Sequence, residues 1–185
     1  KIVLMTPSDE LEMWKMLSTG QKHKGLAAVR YPRGYSQGED ISLDHTTIEI
    51  GKARIIEKGS KIAYLVFGTL LNTVKKVVKK NGGTLVDMRF VKPIDENMII
   101  DICNTHDYIF TVEDNVTLGG AGTAVNEVMI KHLLKNNLVN IGVPDKMIPH
   151  GSQDEILSEL GLDELGIEKA TNDHVHNMVK ISSKK

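Results

Sequence analysis

From Ile48 onward the sequence switches repeatedly between two rhythms, and this alternation constrains the fold more than any other feature. The short apolar runs Ile62 to Phe67, Thr84 to Met88, Tyr108 to Val112 and Leu138 to Val143 have the length and composition of buried strands. Ile48 to Ile56, broken by Gly51, reads as a further strand ahead of the turn Lys58-Gly59-Ser60. Between the runs, apolar residues recur three and four apart. Leu70, Leu71, Val74, Val77 and Val78 form the clearest stripe, with lysines 75, 76, 79 and 80 on the wet side and Asn81-Gly82-Gly83 closing the helix. Asp95 caps a helix from Glu96 through Asn104, and another runs from about Gly122 to Lys135 with Val125, Val128, Met129, His132 and Leu133 on one face. Ser152 caps a short helix through Leu160, and a last one runs from about Asp163 to Ile181. Strand and helix in turn predict an α/β fold: a mostly parallel sheet, right-handed crossovers and helices on both faces.

Residues 1 to 34 predict a separate, incomplete strand-helix-strand unit. Ile2 to Met5 is a strand, Ser8 a helix cap, and Glu10 an acid in the first turn. Leu11, Trp14 and Leu17 fall at helical spacing, Gly20 stops the helix, and Leu26 to Tyr31 is the second strand. The polar stretch Gly34 to Asp44 is the linker candidate. A strand opening at residue 2 predicts that the chain is a piece of a longer polypeptide.

A formal net charge of -1 offers no electrostatic case for nucleic acid or an anionic membrane. No apolar stretch approaches the roughly 18 residues that cross a bilayer. The single cysteine, Cys103, lies in an apolar helical run and predicts an inert buried thiol.

Arg30 and Arg33 stand at the carboxyl end of a predicted strand, between Val29 and Gly34. In open α/β sheets ligands bind beyond such strand ends, and a guanidinium suits a bidentate grip on phosphate or carboxylate. Spacing alone leaves an anion site and a pair of surface arginines both open. Arg89 and Lys92 leave another strand before Pro93 and Asp95, where a strand-to-helix loop competes with an anion or partner contact. Gly119-Gly120-Ala121-Gly122 opens a helix after Glu113 and Asp114. Such a turn can cradle a phosphate, but Val125 replaces the third fingerprint glycine and the two acids repel an anion, so close packing, an interface and an anion site stay open. Of the seven histidines, His23, His45, His106 and His150 fall in predicted loops, His174 and His176 diverge on a helix, and His132 reads as a core or interface residue. No His-x-x-x-His pair, catalytic triad or metal set emerges.

Taken together, Ala28-Val29-Arg30-Tyr31-Pro32-Arg33-Gly34, Asp87-Met88-Arg89-Phe90-Val91-Lys92-Pro93-Ile94-Asp95, Thr111-Val112-Glu113-Asp114-Asn115 and Ile148-Pro149-His150-Gly151-Ser152-Gln153 resemble the 1-deoxy-D-xylulose-5-phosphate synthases. That family belongs to the transketolase-like thiamine diphosphate enzymes. The resemblance implies a carboxyl-terminal portion: residues 1–45 as the end of the pyrimidine-binding α/β domain plus linker, and 46–185 as the transketolase carboxyl-terminal domain. It implies condensation of pyruvate with glyceraldehyde 3-phosphate and loss of carbon dioxide, in the non-mevalonate isoprenoid route. Arg33 matches the arginine that holds the acceptor's phosphate, with Arg30 and Tyr31 as supports. The Gly-Asp-Gly motif for magnesium and diphosphate does not occur here, so thiamine diphosphate and Mg2+ are expected only in the full enzyme, and this segment alone is expected to be inactive. The upstream domains and a second copy are the implied partners, and a bacterial-type cytoplasmic or plastid location is implied. The rivals are a non-catalytic interaction module and a segment of another transketolase-superfamily enzyme.

Overall fold

Two sheets organise the chain, and the register of each explains which residues it buries. The computed structural model describes residues 1–32 and 46–182. In chain order the elements are β1 (Val3–Met5), α1 (Glu10–Lys22), β2 (Ala27–Val29), β3 (Arg54–Glu57), β4 (Lys61–Phe67), α2 (Leu71–Asn81), β5 (Thr84–Asp87), β6 (Phe90–Lys92), α3 (Glu96–Thr105), β7 (His106–Val116), α4 (Ala121–Lys131), β8 (Asn137–Val143), α5 (Gln153–Glu159) and α6 (Glu164–Ser182).

The larger sheet has the order β3-β5-β4-β7-β8, parallel throughout except for the antiparallel edge strand β3. Because side chains alternate across a strand, β4 feeds two cores. Ala63, Leu65 and Phe67 pack with Val86, Ile109 and the apolar faces of α3 and α4. Tyr64 and Val66 point the other way, into Leu85, Phe110, Val112 and the faces of α2 and α6. Each buried Leu, Val or Phe contributes roughly 1.5–3 kcal/mol, which is why a near-continuous apolar strand is stable only between two helical layers. The α/β fold with a helix-flanked, mostly parallel sheet therefore stands as the alternation predicts.

The smaller sheet has the order β2-β1-β6. β1 runs parallel to β2 and antiparallel to β6, so three residues from beyond Asp87 complete a sheet begun at Val3. The segment expected to be a strand-to-helix loop thus contains a strand. No alternation marks it, because only Phe90 of the three is buried. Its core is small: Val3, Met5, Met16 and Phe90, with Val29, Ile48 and Ile50 against them.

Several local expectations need correction. Asp9 rather than Ser8 caps α1, accepting the Glu12 amide at 2.7 Å, while Ser8 is buried and donates to Asp87 at 2.9 Å. Gly20 does not stop the helix, which continues to Lys22; a Cβ at Gly20 would lie 3.3 Å from that of Ala27, so the glycine lets α1 close onto β2. The buried face of α1 is Glu12, Met16, Ser18 and Thr19, whereas Leu17 is exposed. Ile48 and Ile50 precede the strand rather than belonging to it. β2 is shorter than expected, and Leu26 is exposed. α4 ends at Lys131, leaving His132 and Leu133 outside the core. By contrast, Asp95 caps α3 and Ser152 caps α5 in a full capping box, both as expected.

Candidate functional site

The ends of strands from both sheets converge. β1 ends at Met5 and β2 at Val29, and the next amide, Arg30 N–H, donates to the Met5 carbonyl at 2.9 Å. From the large sheet, β4 ends at Phe67 and β7 carries Asp114. A Cβ on Gly68 would lie 3.6 Å from Asp114 Oδ1 and 3.9 Å from the Pro7 carbonyl oxygen, so the two sets of strand ends are in contact. Arg30 spans them: its Nη1 pairs with the Asp114 carboxylate and its Nη2 donates to the Asp114 carbonyl oxygen at 2.8 Å. Tyr31 follows, 58% exposed. Arg33, the linker Gly34 to Asp44 and His45 lie outside the described residues.

Asp114 was not singled out as Arg30's partner from the sequence, where it figured only as a repellent of anions. The available signal was charge complementarity between two strand-end motifs, an arginine pair in one and an acid pair in the other.

The other acid, Glu113, fills the cradle that the glycine-rich turn forms. Its Oε2 accepts the Ala121 amide and its Oε1 the Gly122 amide, each at 2.8 Å, at the start of α4. The helix terminus therefore binds an anion, but one supplied by the chain itself. A Cβ at Gly120 would fall 2.2 Å from the Val116 carbonyl oxygen, and one at Gly122 would fall 2.5 Å from Thr111 Oγ1. Glycine is required at both positions for close approach, and the amides that an external anion would need are taken by Glu113. Burial pushes the Glu113 carboxyl above its ordinary range, and the two amides only partly oppose this.

Arg89 and Lys92 diverge. Lys92 is exposed on β6. Arg89, at φ +58°, turns back to α1: Nε lies 2.8 Å from Glu12 Oε2, and Nη2 donates to Oε1 at 3.0 Å. Arg54 of β3 completes the cluster, with Nη1 3.1 Å from Glu12 Oε1 and Nε donating to Asp87 Oδ2 at 3.0 Å. Glu12 and Asp87 are essentially inaccessible, at 1% and 0% side-chain exposure. Burial raises the Asp87 carboxyl despite the guanidinium of Arg54 beside it.

Three of the histidines make contacts within the fold. His106 is not a loop residue: it opens β7, is buried, and its Nε2 lies 2.7 Å from Thr84 Oγ1 and its Nδ1 3.1 Å from the Ile102 carbonyl oxygen. His132 sits at the end of α4, with Nε2 3.1 Å from Glu96. His174 meets Tyr108 and Phe110 edge-on. Burial pushes the Cys103 thiol up to about 11, far from reactive thiolate. Among the described residues no group of three or more His, Cys, Asp or Glu could hold a metal ion, and no helix is long and apolar enough to cross a membrane.

Comparison with known proteins agrees with this architecture. Residues 51–167 match the family model described as "Transketolase, C-terminal domain". The 1-deoxy-D-xylulose-5-phosphate synthase of Vibrio campbellii is 48% identical over 174 residues, and that of Vibrio parahaemolyticus 47%. Each alignment covers 94% of this chain, and the chain spans 28% of the length of these curated relatives. Among solved structures, "Split gene transketolase, inactive beta4 tetramer" superposes with a TM-score of 0.83 at 21% identity, covering 93% of this chain and 57% of that one. Transketolase from Campylobacter jejuni superposes with a TM-score of 0.65 at 14% identity, over 93% of this chain and 26% of that one.

Proposed function

The chain belongs to the transketolase C-terminal domain family, and from that premise we propose that it is the carboxyl-terminal part of a 1-deoxy-D-xylulose-5-phosphate synthase, a thiamine diphosphate-dependent transferase. The observation that carries this reading is the alignment of nearly the whole chain to the synthases of the two Vibrio species. In this reading the complete enzyme condenses pyruvate with glyceraldehyde 3-phosphate and releases carbon dioxide. Residues 1–45 are the end of a pyrimidine-binding domain with its linker, and 46–185 are the transketolase carboxyl-terminal domain. The parent enzyme is a cytoplasmic homodimer.

The residues described here do not fit the magnesium-diphosphate group. They include no metal-binding cluster, and the α4 amides suited to a diphosphate already hold Glu113. The donors for that group come from upstream in the longer polypeptide, and the segment by itself does not catalyse.

Arg33 takes the phosphate of the aldehyde acceptor in this reading, with Arg30 and Tyr31 as supports. A guanidinium at a strand end gives charge-assisted, bidentate hydrogen bonds to a phosphoryl group, and a grip on that remote group sets the pose of the reacting carbonyl. The strand-end convergence at Arg30 and Asp114 supports it, because sheets of this class bind ligands there. The test is Arg33→Ala in the full-length enzyme. Use of glyceraldehyde 3-phosphate should fall by at least about tenfold, the loss of at least one charged hydrogen bond, while unphosphorylated glyceraldehyde is little affected. An equal loss for both acceptors removes Arg33 from the role.

A further inference from the structure

Met88 and Phe90 are both fully buried, but in different cores. Met88 packs in the larger sheet's core with Val86 and Ile99, and Phe90 in the smaller one's with Val3, Met5 and Met16. In a regular strand, residues two apart share a face. The chain breaks that rule at Arg89, which sits at φ +58° while the Phe90 amide donates back to the Met88 carbonyl oxygen. A three-residue turn closed around a left-handed, non-glycine residue is rare and strained. Neighbouring carboxylates hold it. Asp87 Oδ1 accepts the Arg89 amide at 3.2 Å, and Glu12 takes the guanidinium. Even that grip is imperfect, since Arg89 Nε and Glu12 Oε2 stand 2.8 Å apart without hydrogen-bond alignment.

What this turn secures is the joint between the two sheets. β6 is three residues long, only its Phe90 is buried, and its register against β1 shifts between Leu4 and Met5. The Arg89 carbonyl oxygen accepts the Thr6 amide at 2.8 Å. We propose that β6 is a strap, kept on the amino-terminal sheet by Glu12's hold on Arg89 and released from β1 when that hold is lost. The turn stores the strain that opens it: freed of Glu12, Arg89 returns to an ordinary backbone conformation and draws Phe90 away from Met5. α1, which carries Glu12, thereby controls whether the two sheets stay joined through this strand.

The experiment separates charge from strain, using hydrogen–deuterium exchange on the full-length protein at neutral pH. Arg89→Ala removes the grip and keeps the strain. Arg89→Gly removes both, because glycine enters the left-handed region freely. Glu12 keeps Arg54 as a partner in each variant. The Thr6 amide and those of β6 should exchange about five- to thirtyfold faster in Arg89→Ala than in Arg89→Gly, the factor that a left-handed non-glycine residue carries. Arg89→Gly should stay close to the parent, and β4 and β7 should remain protected in both. Glu12→Gln should free the strap with Arg89 in place, and adding Arg89→Gly should restore its protection. Equal exchange in the alanine and glycine variants overturns the proposal, because the guanidinium would then act by charge alone. Loss of protection throughout the larger sheet overturns it too, since β6 would belong to one cooperative unit. If Arg89→Ala does not accumulate in folded form, the glycine variant decides: a folded, protected Arg89→Gly supports the strap, and one that fails to fold rejects it.

Discussion

Glu12 and Asp114 each receive arginine from across the two sheets, but in opposite surroundings. Glu12 is sealed under α1 and takes Arg89 and Arg54, while Asp87 beside it takes Arg54 and the hydroxyl of Ser8. Among the described residues Asp114 meets one arginine, whose side chain is 42% exposed. The first cluster lies where burying a lone charge would be most costly, so its members depend on one another. The second is partly exposed and weakly stabilising, and it ties the end of β2 to β7. The same pairing of guanidinium and carboxylate thus fastens α1 to the large sheet in one place and joins two strand ends in the other.

The largest expected effect breaks the first cluster. Glu12→Gln leaves Arg89 without a counter-charge, and removing one partner of a buried pair costs about 3–5 kcal/mol. Denaturant unfolding should show the loss; a cost under about 1 kcal/mol would place Glu12 with the surface pairs and dissolve the contrast.

Next comes a pH effect at Asp87. Burial raises its folded-state pKa, so the native state binds its proton more tightly than the unfolded chain does. Its contribution to stability is therefore fully present below the ordinary aspartate range and lost as pH rises through the raised folded value. Asp87→Asn should flatten that part of the stability-pH curve, whatever it does to the absolute level. An unchanged slope of the stability–pH curve above the ordinary aspartate range would mean that Asp87 titrates as it does in water.

The smallest effect sharpens the other side of the comparison. Arg30→Gln should lower stability by no more than about 1 kcal/mol, and the difference should shrink with added salt. Thermal unfolding at low and high salt checks this. A large, salt-insensitive loss would mean that the bridge behaves as a buried one.

Much of the large sheet was legible in advance. The apolar runs of β4, β5, β7 and β8, the lysine-backed stripe of α2, and the caps Asp95 and Ser152 each carry a local rule that tertiary context only reinforces. The amino-terminal unit was harder. Leu11, Trp14 and Leu17 mark an apolar stripe, yet the face turned inward holds Glu12, Ser18 and Thr19, because arginines from β3 and the β5–β6 corner satisfy the acid. At the candidate site, Arg30 was found from its strand end, but its commitment to Asp114 was not.

The alternation of elements, the parallel core sheet and the resemblance carried by the motifs are all written in residues near one another along the chain. That β6 joins the first sheet, that Glu113 occupies the α4 cradle and that Asp114 lies opposite Arg30 emerges only in the folded chain. The first and last pair groups far apart in sequence, Arg30 and Asp114 by 84 positions, and the second depends on how the β7–α4 turn folds back; no propensity or period encodes which group a buried or strand-end residue will meet.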